Sequence, residues 1–184
     1  NEAVTSAGRN NEMAYQVAKA AKELKRDMET ALLSNVAKSA GNATTARKLG
    51  GCPTWYETNV DAASNGSGAG NGAIRTDGTQ RAFTEDQLKG ILVSCYNEGG
   101  NPNMIMVNAF NKQKLSGFTG GSTRFDAAED RRLITSIDVY ESDFGTMQVS
   151  PNRFIRGANS TSAKIGQDAH ILDMEYWAVS FLRD

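Results

Sequence analysis

The chain has 184 residues, 39% hydrophobic and 22% charged, with a net charge of −1, which fits one globular domain with a sizeable core. A near-neutral chain lacks the basic excess of a dedicated nucleic-acid binder, and no apolar run approaches the roughly 18 residues of a membrane span. Two cysteines, Cys52 and Cys95, and one histidine, His170, cannot supply a structural zinc site, so two reduced, partly buried thiols are expected.

The chain opens at Asn1 without Met and without a signal-peptide pattern, as expected of a fragment or a processed product. Residues 11–40 read as one long helix. Apolar residues recur at steps of three and four: Met13, Val17, Ala20, Ala21, Leu24, Met28, Ala31, Leu32 and Val36. Lys19, Lys22, Glu23, Lys25, Arg26, Asp27 and Glu29 lie mostly off that stripe. Asn10 or Asn11 can cap the start and Gly41 suits the stop. About 28 residues at 1.5 Å each make a rod about 42 Å long, enough to cross a whole domain or pair with another chain.

"LGGCPTW" (Leu49 to Trp55) reads as a Gly-Pro turn with an aromatic anchor. The Gly-rich residues 61–80 read as a mobile loop. Thr84 and Gln87 form a capping box for a second helix, with Phe83 as staple. Leu88, Ile91, Leu92 and Cys95 make its apolar face, and Gly99–Gly100 end it. "MIMV" (Met104 to Val107) is a short apolar strand. Asn108 suits the N-cap of a third helix that ends at Gly117. Alternation through Ile134 to Glu141, a turn at "SDFG" and "TMQVSP" predict a hairpin. Residues 157–168 read as a second loop, and "HILDMEYWAVSFL" (His170 to Leu182) as one or two buried strands. No internal repeat appears, and the class is α+β.

The chemistry is sparse. Gly117, Gly120 and Gly121 precede Ser122 and Thr123, but the Walker lysine is missing and the segment follows a helix, so a structural turn is the better reading. "GSGAGNG" (Gly66 to Gly72) follows no strand and opens no helix, and reads as linker. His170 would have to serve any Ser-His-Asp triad or His-containing metal site; Asp168 and Asp173 are near it in sequence. No G-x-S-x-G elbow or D-x-D-x-D-G loop accompanies it, so a strand-start histidine without a role is preferred. "FDAAEDRRL" (Phe125 to Leu133) carries Asp126, Glu129, Asp130, Arg131 and Arg132, an ion-paired turn or a subunit contact. Lys22, Lys25 and Arg26 interleave with Glu23, Asp27 and Glu29, as on a solvated helix face. No catalytic, cofactor or metal residue is assigned.

Three segments carry a resemblance: "RAFTEDQLKGILVSCYNEGGNPNMIMVNAFNKQKLSGFTGG", "VYESDFGTMQVSPNRF" and "LDMEYWAVSFLR", with "ARKLGGCPTW" after the long helix. In this order they resemble the major capsid (head) proteins of tailed bacteriophages, the SU10-type family, from about Asn11 to Arg183. The resemblance implies an α+β, Hong Kong 97-type capsid fold. Residues 1–50 would be the spine helix and its connector, part of the peripheral domain. Residues 51–184 would be an axial α+β domain returning toward the peripheral one. On this resemblance the family's N-terminal arm and extended loop are expected to be missing from this sequence.

The implied function is a structural subunit that assembles into pentamers, hexamers and a DNA-enclosing icosahedral shell, and not an enzyme. Scaffold or decoration proteins and non-specifically held DNA are the other implied partners, with no membrane and no cofactor. The place is the virion, assembled in the bacterial host cytoplasm. Lys112, Lys114 and Arg124 are expected to face neighbours, Phe118 and Phe125 to face the body, and Arg131 and Arg132 to make subunit contacts. Two rivals stay open: a phosphate- or nucleotide-binding enzyme using the Gly117–Gly121 turn, and an adaptor dimerising through residues 11–40. The missing lysine counts against the first, and an Ala-containing stripe without sustained Leu/Ile heptads against the second.

Overall fold

Helix α1 (Glu12–Leu33) is the long helix of the chain. Its 22 residues span about 33 Å. The computed structural model describes residues 12–68, 70–118, 138–155 and 168–180. The helix stops seven residues short of the expected end at residue 40, and the cause is local. Ser34 turns its hydroxyl back onto the Thr30 carbonyl. Asn35 then leaves the helix to make two long-range bonds: its Nδ2 donates to the Arg75 carbonyl at 2.7 Å, and its Oδ1 accepts from the Arg75 N–H at 2.8 Å. Gly51 backs onto this exit so closely that a Cβ there would lie 1.7 Å from the Ser34 oxygen. Tertiary bonding thus overrides the helical period that runs on to Val36.

From Ser34 to Arg81 the chain forms an irregular layer. A short 3-10 helix (Cys52–Thr54) lies within it. Isolated bridges join Ser39 to Lys48 and Ser67 to Thr76. The Gly72 carbonyl accepts from Lys38 N–H at 2.9 Å, and the Gly72 N–H donates to the Thr54 carbonyl at 3.0 Å. The Gly-rich stretch is therefore folded against the exit of α1.

Helix α2 (Glu85–Asn97) begins with the expected capping box, the Thr84 side chain and Gln87 serving each other's backbone N–H groups. Gly99 follows its end at φ +82°, a conformation that suits glycine. Strand β1 (Met104–Val107) leads through Asn108, whose side chain accepts from Asn111 N–H, into α3 (Ala109–Ser116). Strands β2 (Val139–Ser142) and β3 (Gly145–Pro151) form the expected hairpin, and β4 (Ala169–Leu172) completes the sheet. The order is β2-β3-β1-β4. β1 runs parallel to β3 and antiparallel to β4.

One sheet face packs on the helices. Leu88 and Leu92 of α2, Leu115 of α3, and Ile105, Val107, Met147 and Val149 of the sheet form the core, with Phe83, Phe118, Tyr140, Ala169 and Ile171 around it. Each fully buried aliphatic side chain contributes roughly 1.5–3 kcal/mol. The sequence after Leu172 departs from the expected strands. Asp173 caps a second 3-10 helix (Met174–Tyr176), accepting from Glu175 N–H, while Asn103 Oδ1 accepts from Met174 N–H at 3.2 Å. These local side-chain bonds end the ladder, and Tyr176 is left 83% exposed.

Candidate functional site

The expected contact residues fall in two groups. Lys112 and Lys114 stand on α3. Lys112 Nζ lies 3.1 Å from Asp138 Oδ1, and its side chain is only 12% exposed, so it ties α3 to the start of β2. Lys114 is exposed, with its ammonium 5.5 Å from the Phe110 ring centre. Arg124, Phe125, Arg131 and Arg132 lie outside the described residues, as do residues 119–121 of the expected glycine turn and residues 157–167 of the expected second loop. Phe118 faces the body, with its ring 5.3 Å from that of Phe83.

The polar cluster that the structure assembles is centred on β4. Arg75, in the irregular layer, reaches Asp168 at 2.8 Å and Asp77 at 3.0 Å. Next to Asp168, His170 is buried in the strand, and its Nδ1 lies 3.3 Å from the Tyr56 hydroxyl. Tyr56 also meets Trp177 edge-on at 5.8 Å. Burial lowers the His170 pKa to about 4, with Asp168 opposing and Arg75 reinforcing that effect. Burial likewise pushes the Tyr56 phenol up. The cluster clamps the irregular layer onto the sheet, since Arg75 and Asp168 are 93 residues apart.

Sequence reading marked His170 and its neighbour Asp168 but missed Tyr56, Arg75 and Asn35. Little that is local signals them: Arg75 sits in a glycine-rich run, and the contacts that join the cluster, Arg75 to Asp168, Tyr56 to His170 and Asn35 to Arg75, are distant in sequence. Cys52 and Cys95 are free and half-buried, with both thiols pushed up by burial. Among the described residues no group of His, Cys, Asp and Glu could hold a metal ion, and no helix is long and apolar enough to cross a membrane.

Among the described residues, α1 is a long uncovered feature. Residues 13–27 are all exposed, including the apolar stripe: Met13 is 73% exposed and Val17 and Leu24 are each 62%. The last turns of the helix meet the body, where Leu33 is buried and Glu29 Oε1 accepts from Asn152 Nδ2 at 2.6 Å. An amphipathic helix whose apolar side faces water lacks the surface that would stabilise it.

The family model described as SU10 major capsid protein matches residues 1–184. No curated protein matches the chain.

Proposed function

The chain belongs to the SU10 major capsid protein family, a structural subunit of a phage capsid, and from that premise we propose that its copies assemble into capsomers and a closed shell that encloses DNA. The fold in this reading is of the Hong Kong 97 type. Residues 1–50 act as spine helix and connector, and residues 51–184 as the axial body. The observation that carries the reading is α1. Its polar residues alternate with a stripe that reads as a buried face, yet Met13, Val17 and Leu24 stand in solvent. Such a stripe is completed by contact with further protein surface, which assembly supplies many times over. Lys112, Lys114, Arg124, Arg131 and Arg132 remain the proposed contributors to contacts between subunits, with scaffold or decoration proteins as further partners.

Negative-stain imaging of the protein expressed at high concentration tests this. Uniform shells, or rings of five or six subunits, are the expected result. A monodisperse small species under every condition of salt and concentration would overturn self-assembly.

A further inference from the structure

The four-stranded sheet ends in β4 on one side and β2 on the other. The main-chain bonds show which groups each edge turns outward. Asn103 N–H donates to the Leu172 carbonyl at 3.0 Å, so Leu172 and His170 direct their backbone groups to β1. In an alternating ladder the intervening residues point away. The N–H and C=O groups of Ala169 and Ile171 therefore face out of the sheet. On β2, Val149 N–H donates to the Asp138 carbonyl at 2.8 Å, so Tyr140 and Ser142 face β3 while Val139 and Glu141 face out. Among the described residues no backbone hydrogen bond beyond the ladders reaches any of these four.

The β4 edge is recessed. It lines a cleft of about 530 Å³ with α2 on one side, through Ile91 and Cys95, and the irregular layer on the other, through Tyr56, Val60 and Arg75. A sheet edge lying between two layers suits a thin, extended occupant whose backbone matches the unpaired groups. The same chain carries such a strand. β2 and β4 are each four residues long, and each turns two residues outward at the same spacing. The β2 side chains Val139 and Glu141 are exposed.

We propose that β2 of a second copy of this chain adds to the β4 edge inside this cleft, continuing the sheet from one subunit to the next. This rests on the assembly reading above and gives it a specific joint. Up to about four main-chain hydrogen bonds form across it. The contact uses two different surfaces, so it repeats head to tail and closes into a ring when the rotation allows.

Hydrogen–deuterium exchange of the full chain, dispersed and assembled, tests the joint. The amides of Val139, Glu141, Ala169 and Ile171 are expected to exchange at least ~10-fold more slowly on assembly. Assembly with unchanged exchange at these amides overturns the joint and leaves the capsid reading intact; failure to associate at any concentration overturns both. Glu141→Pro and Ala169→Pro each remove one outward N–H without removing a ladder bond. Each alone is expected to weaken association at least ~10-fold, through the lost bond and the ring's bulk. An equimolar mixture should give dimers, joined through the one intact pair of edges. If Ala169→Pro blocks association and Glu141→Pro does not, β4 takes a different occupant and the proposal fails. Exchange in the unmodified chain decides the matter even where a variant does not fold.

Discussion

Lowering the pH should unfold this protein partly through one residue, and the chain's single histidine makes the effect separable. In the folded state burial holds His170 at about 4, against the ordinary 6.5. Asp168 opposes that effect and Arg75 adds to it. The native state therefore keeps a neutral ring where the unfolded chain takes up a proton. A depressed folded pKa gives stability that is complete above about 6.5 and is lost as pH falls from there toward 4. Across that window the loss is on the order of 3 kcal/mol, a large fraction of a typical domain's stability.

Urea midpoints of the wild type and His170→Gln, taken between pH 7.5 and 4 (roughly the window just derived), isolate the contribution. Carboxylates titrate in the same range but are common to both proteins. The glutamine retains a polar group for the Tyr56 hydroxyl. The wild type should lose about 3 kcal/mol more than the variant between the two ends. The imidazole C2 proton, followed by NMR, should keep its neutral shift through pH 6.5 and reach its titration midpoint only near pH 4. Parallel stability curves, or an imidazole titrating near 6.5, would refute the reasoning and place His170 in a solvated site.

Two local predictions follow from the backbone. Gly51→Ala places a methyl 1.7 Å from the Ser34 oxygen, so the exit of α1 must shift; a loss of about 3 kcal/mol or more in denaturation is expected, and a change under 0.5 would show that the approach is not tight. Thr84→Ala removes the cap of α2 and its reciprocal box; about 1 kcal/mol should be lost in thermal unfolding, with Thr84→Ser restoring most of it.

The elements with complete local signals were legible in the sequence. Thr84 and Gln87, Asn108, the apolar "MIMV" strand and the hairpin at "SDFG" each carry their start, stop and pattern within a few residues, and each appears in the structure. The end of α1 was not legible, because the period continues past Leu33 and the residue that stops it, Asn35, is held by Arg75, forty positions away. The stretch after Leu172 misled for a related reason. "MEYWAV" has strand composition, but Asp173 and Asn103 offer its N–H groups a nearer alternative. The polar cluster around His170 was legible only as a histidine beside Asp168. Its meaning depends on Tyr56 and Arg75, brought in from the irregular layer.

Asn35 has one more consequence. By exchanging two bonds with the Arg75 backbone it does with a side chain what a strand does with its main chain, and it does so once. Beyond it, the bonds of Lys38 and Thr54 to Gly72 lie nested inside the loop it closes. A ladder can fray one rung at a time. A loop closed at its ends by one side chain, with further bonds nested inside it, gains from each of them, so the segment from Ser34 to Arg75 should open more as a unit than rung by rung. The length of chain inside that clasp is cheap to vary, each doubling costing only about 0.6 kcal/mol of closure entropy.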